Sequence, residues 1–109
     1  MPSSEEFFAD MIASARQAAG DFWADVRAST ISACRSMAEQ LALIAKGFAL
    51  GEFTEQDVKA DIEAVRKQLI ASLAATIMKI EGLAARIINS ALTAVRDAIN
   101  NALGFELIA

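Results

Sequence analysis

The 109-residue sequence has no histidine and no tyrosine, and it has only one cysteine and one proline. Without histidine, the chain lacks the side chain that most often acts as a general base near neutral pH and most often binds transition metals. Helix-bundle metal centres that use Glu-x-x-His pairs are excluded for the same reason. We therefore predict no catalytic residues, no metal site and no cofactor.

The single cysteine, Cys34, excludes an intrachain disulfide and suits a reducing compartment. A nucleophilic thiol would need an activating base, and no histidine is present to supply one. We expect Cys34 to be a small buried side chain. Trp23, Phe7, Phe8 and Phe22 could form an aromatic ligand site, but their helical spacing is more typical of core packing.

The sequence also lacks a long apolar run and a basic surface. Its longest uncharged stretch, residues 68–78, is shorter than the roughly 18 residues of a membrane span, and the N-terminus lacks the features of a signal peptide. The net charge is −4, with acidic and basic residues interspersed, so no nucleic-acid partner is predicted. We expect a soluble cytoplasmic protein.

What the sequence does contain is a helix-forming composition, 55% hydrophobic and rich in alanine. Ser3 and Glu6 have the spacing of a helix-capping box, Gly47 and Gly51 can end a helix, and Thr54 can begin the next. Gly104 supplies the final stop. These signals predict one all-α domain with a helix over 4–47, a turn over 48–54, a helix over 55–103 and an apolar tail over 104–109.

Apolar residues recur every eleven positions, as in Met11, Phe22, Ala33 and Ile44. Eleven residues in three turns correspond to a nearly straight helix. Gly20 and Gly82 could instead divide the chain into four short helices. Because the eleven-residue pattern continues through both glycines, the sequence favours two long helices in an antiparallel hairpin.

Two such helices would be about 60 Å long and could not bury all of their apolar surface against each other. We therefore predict a homo-oligomer, most simply a dimer that forms a four-helix bundle. The hairpin register places the charge-free stretches 28–34 and 68–74 level with each other. The predicted interface comprises Ser29, Ser32, Ala33, Cys34, Ile70, Ala71, Leu73, Ala74, Ile77 and Ile88.

Two features remain open at this stage. Glu39 and Glu63 fall level in the same register, either as a carboxylate pair or, as we expect, as solvated charges. The tail residues Phe105, Leu107 and Ile108 either dock on the bundle, which we favour, or bind a partner.

The broad apolar surface and the absence of catalytic groups predict a non-enzymatic, self-associating scaffold or adaptor protein. Its partner would be a second copy of the chain, or another protein. The alternative function is binding of lipids or hydrophobic ligands, since an eleven-residue amphipathic period also suits helices on a lipid surface. The acidic net charge argues against a membrane partner.

Overall fold

The computed structural model describes residues 3–77 and 81–109, except for the side chains of Ile77 and Glu81. Within these residues the chain forms four α-helices: α1 (Ser4–Ala19), α2 (Trp23–Ala49), α3 (Glu55–Ile77) and α4 (Glu81–Leu103). A 3₁₀ turn, Gly20–Phe22, separates α1 from α2. The predicted all-α class is confirmed for the described part of the chain.

Helix α1 begins at the predicted capping signal. The Ser3 hydroxyl accepts a hydrogen bond from the backbone N–H of Glu6 at 3.3 Å, and Glu5 and Glu6 both lie in the first turn. A capping side chain satisfies an otherwise unpaired backbone donor, and acidic residues complement the positive end of the helix dipole. The helix buries one stripe, formed by Phe7, Met11, Ala15 and Ala19.

The prediction of one long helix over 4–47 is wrong, because the helix breaks at Gly20. This glycine has φ +56° and ψ −126°, and its backbone N–H ends α1 by donating to the carbonyl oxygen of Arg16. The Arg35 guanidinium lies 4.3 Å from the centre of the Phe8 ring. On one continuous helix these residues would be about 40 Å apart. Helix α1 therefore folds back along α2.

The turn between α2 and α3 also differs in detail from the prediction. Gly47 does not end the helix but lies inside α2, which continues to Ala49; the positive φ of +76° belongs to Gly51. The next helix begins as predicted at Thr54. Its backbone N–H donates to the Asp57 carboxylate at 3.0 Å, and its hydroxyl accepts from the Asp57 N–H at 3.1 Å.

The second predicted long helix, over 55–103, also folds back on itself. Arg66 Nη1 donates to Asn89 Oδ1 at 3.2 Å, although the residues are 23 positions apart and would be about 35 Å apart on a continuous helix. Residues 78–80 lie outside the described part of the chain. On the opposite side of the bundle, Ser14 Oγ donates to the carbonyl oxygen of Ser90 at 3.0 Å and joins α1 to α4.

The four helices thus form a bundle of 41 × 22 × 20 Å with a radius of gyration of 13.5 Å, instead of a 60 Å rod. Its core is formed by the apolar stripes of all four helices, and its largest fully buried side chains include Met37, Leu41, Ile44, Ile87, Ile88 and Ile99. A single chain therefore covers most of the apolar surface for which a second chain was predicted. Self-association remains a prediction, and only the part of the predicted interface that stays exposed in the single chain is available for it.

Candidate functional site

A groove of about 450 Å³ lies between α2 and α3. It is bordered by the two charge-free stretches that the sequence places level with each other, and none of its lining residues in the described part of the chain is charged. Its α2 side is built from alanine and serine, and its α3 side adds two leucines. The lining residues are Ala28, Ser29, Ser32, Ala33, Ser36, Leu69, Ser72, Leu73 and Thr76.

The predicted interface residues divide into two groups in the structure. Ser32 and Ala71 are exposed, and Ser29 and Ala74 are half-buried. The others with described side chains lie in the core that the four helices of the single chain form: Ala33, Cys34, Ile70, Leu73 and Ile88. Ile77 lies outside the described side chains.

Sequence reasoning missed two exposed leucines on the same edge of α2. Leu43 is 61% exposed and Leu50 is 65% exposed, and the two lie on one edge, where exposed apolar side chains can form a patch. Both share a seven-residue column with Ser29 and Ser36. That column was the available signal, but the eleven-residue analysis follows the buried stripes of a straight helix and does not detect it.

A second groove, of about 390 Å³, continues along this edge towards the α2–α3 turn. Leu43 and Lys46 border it on α2, Leu50 and Glu52 border it in the turn, and Asp61 borders it on α3. We call the two grooves and these bordering residues the α2–α3 face. Its middle is uncharged, and its charged groups lie towards the turn.

The C-terminal tail packs against the bundle. Asn100 Oδ1 accepts hydrogen bonds from the backbone N–H groups of Leu107 at 2.8 Å and Ile108 at 3.0 Å, and Asn100 Nδ2 donates to the Ile108 carbonyl at 2.9 Å. The Leu107 side chain is buried. The Phe105 ring makes an edge-to-face contact with Phe48, with ring centres 5.2 Å apart. The tail residues named by the sequence analysis are therefore held by one asparagine side chain and by apolar contacts.

The carboxylates do not form a paired site. Glu63 accepts a hydrogen bond from Arg66, which lowers the pKa of the Glu63 carboxyl and raises the pKa of the guanidinium. Glu39 lies instead near Phe8 and Arg35 on the α1 side of α2. Within residues 3–77 and 81–109, no group of three or more Cys, Asp or Glu side chains is arranged to hold a metal ion.

Cys34 is fully buried, and burial raises the pKa of its thiol to about 11. The thiol therefore stays protonated near neutral pH, in which form it is a poor nucleophile. One turn earlier, Thr30 is also fully buried, and its hydroxyl has no hydrogen-bond partner among the residues that the structure describes. The aromatic residues near the N-terminus are dispersed: Phe7 is in the core, Trp23 is half-buried, and Phe8 stacks under Arg35.

Among the helices in the described part of the chain, none combines the length and the apolar character needed to cross a bilayer. The chain matches no protein-family model, and comparisons with curated proteins and with solved structures likewise gave no match.

Proposed function

We propose that this protein is a non-enzymatic helical interaction protein that pairs with a second copy of itself through the α2–α3 face. The observation that carries the proposal is the exposure of Leu43 and Leu50 in the groove near the turn, on a face whose other groove has no charged side chain among its described lining residues. Exposed large apolar side chains grouped along one edge are typical of interaction surfaces, whereas scattered ones need no explanation.

Charge supports a second copy as the occupant of this face. The chain carries a net charge of −4, so two copies repel each other over most of their surfaces. The uncharged middle of the α2–α3 face is where two copies can approach with the least repulsion and without burying unpaired charges.

The α2–α3 face is also large enough to form a protein interface. Helix α2 contains 27 residues and is therefore about 40 Å long, and two adjacent helices are about 20 Å wide. The resulting area of about 800 Å² per chain equals that of a standard stable protein interface. The face is thus large enough for a dimer interface.

We propose a non-enzymatic function because the described side chains offer no suitable catalytic group. The chain has no histidine, and the raised pKa of the buried Cys34 thiol keeps it in its unreactive form. Lipid binding has less support, because Lys46 is the only basic residue among the described residues that line the two grooves of the α2–α3 face. Flotation with neutral and anionic vesicles should leave the protein unbound.

Sedimentation velocity and light scattering over a wide concentration range test the proposal. We expect a dimer for the parent chain and about 100-fold weaker association for Leu43→Glu, since the interface would bury an unpaired charge. Ala13→Glu is the matched control, because Ala13 is an exposed residue on α1 outside the face. Circular dichroism melting should show that both variants fold. A parent chain that stays monomeric at every concentration would refute the proposal.

A further inference from the structure

We infer that the two copies pair antiparallel about a twofold axis at Ser36, with Leu43 of each copy seated in the partner's groove between α2 and α3. This inference rests on the proposed self-association and assigns its geometry. In this arrangement the groove between α2 and α3 of one copy binds the Leu43 side chain of the other.

The spacing along α2 leads to this arrangement. Ser29, Ser36 and Leu43 are separated by equal intervals of seven residues, so Ser29 and Leu43 lie about 10 Å from Ser36 in opposite directions. A twofold axis through Ser36 therefore places Leu43 of one copy over Ser29 of the other. By symmetry, Leu43 of the second copy lies over Ser29 of the first. The same contact is therefore made twice, as in isologous dimers.

The shape of each part fits the other. Leu43 lies at the surface of the bundle and is 61% exposed. The groove is bordered by Ser29 and Ser32 on α2, whose small side chains leave room, and by Leu69 and Leu73, which supply apolar contacts. An exposed leucine on one copy and a charge-free groove on the other match the anchor-and-pocket pattern of protein interfaces.

The charges along α2 are complementary under the same rotation. Asp25 lies near the beginning of α2 and Lys46 near its end, at nearly equal distances from Ser36. Antiparallel pairing brings Lys46 of each copy level with Asp25 of the other, and it also aligns the two α2 dipoles in opposite directions. A parallel arrangement would place the two Lys46 side chains together and lose both advantages.

Oxidative cross-linking tests this geometry. In a Cys34→Ala background, Ser36→Cys introduces a single exposed thiol at the proposed axis, and Ala13→Cys introduces one on α1 as the matched control. Under mild oxidation we expect a disulfide-linked dimer for Ser36→Cys in at least about tenfold higher yield than for Ala13→Cys, since a disulfide requires the two α-carbons to be within about 7 Å. Equal yields in the two variants would overturn the geometry.

Sedimentation of the same proteins under reducing conditions separates the two failures. A reduced dimer without cross-linking at residue 36 would overturn the geometry and leave self-association intact, whereas a monomer would refute both.

Charge reversal gives a second measurement that does not depend on cysteine. Asp25→Lys and Lys46→Asp should each weaken the dimer severalfold, and the double variant should restore it. Additive weakening in the double variant would contradict the antiparallel pairing.

Discussion

The ring of Phe53 packs directly over the α-carbon of Gly47, on the last turns of α2. A β-carbon added at Gly47 would lie 3.1 Å from Cζ of the ring and closer still to two other ring atoms. The glycine is buried and helical, so its role is to admit the ring and not to turn the chain. This contact holds the α2–α3 turn against the end of α2.

Gly47→Ala should therefore destabilise the protein, although alanine favours helix by about 1 kcal/mol over glycine. We expect a net loss of about 1–3 kcal/mol, because the ring must move out of its contact. Chemical denaturation measures the change. In a Phe53→Ala background the same substitution should become neutral or stabilising, and equal costs in both backgrounds would show that the ring is not the obstacle.

Gly20→Ala should also destabilise, for a different reason. A β-carbon at Gly20 would meet no atom of the described residues within 4 Å, so the cost lies in the backbone, whose φ of +56° is unfavourable for alanine by about 1–2 kcal/mol. The matched control is Gly82→Ala in the first turn of α4, which should be neutral or stabilising. If Gly20→Ala instead stabilised the protein like its control, the break between α1 and α2 would be contradicted.

Asn100→Ala should release the tail. The substitution removes three hydrogen bonds to Leu107 and Ile108, and we expect a loss of about 1–3 kcal/mol. Asn101→Ala is the matched control, because Asn101 is the exposed neighbour in the same helix. Limited proteolysis should cut after residue 104 faster in the Asn100 variant than in the control. Equal rates would mean that apolar contacts alone hold the tail.

The stability of the protein should fall between about pH 9 and pH 11 because of Cys34. The thiol has a pKa of about 11 when folded and 9.0 as its reference value, so in this range the folded state binds a proton that the unfolded state has released. The contribution of this thiol to the free energy of unfolding is fully present below pH 9. Above pH 9 the free energy of unfolding declines by up to about 1.4 kcal/mol per pH unit.

Denaturant melts at several pH values measure this decline, and Cys34→Ala should reduce it. The absence of tyrosine removes one other group that titrates in this range. A thiol reagent should also react with native Cys34 far more slowly than with the protein in urea. Rapid reaction of the native thiol would contradict the burial from which the pH dependence follows.

The local signals in the sequence were reliable where one side chain determines the structure. Ser3 and Thr54 cap helices as predicted, and Gly104 ends α4 with a φ of +82°. The helix-forming composition and the capping signals together predicted the all-α class correctly. The tertiary arrangement was not predictable in this way, because an apolar stripe shows which face of a helix is buried and not which helix buries it.

The chain reversal at Gly20 could not be predicted from the apolar pattern. The eleven-residue pattern passes through it unchanged in the sequence, although Phe22, the member of the pattern in the 3₁₀ turn, is 43% exposed in the structure. Only the backbone at Gly20 reveals the reversal. The candidate face was partly predictable: the charge-free stretches that border the groove were identified, whereas Leu43 and Leu50 were overlooked because they belong to no buried stripe.

Helix α3 is the least deeply packed of the long helices, since its described side chains bury only Val58, Ile62, Ile70 and Leu73. Helix α4 buries Leu83, Ala84, Ile87, Ile88, Ala91, Leu92, Val95, Ile99 and Leu103. Elements with few buried contacts open most readily by local unfolding. Amide protons of α3 should therefore exchange with solvent deuterium before those of α4. A partner seated beside α3 would slow that exchange, so the helix that is weakest in the single chain would gain most from pairing.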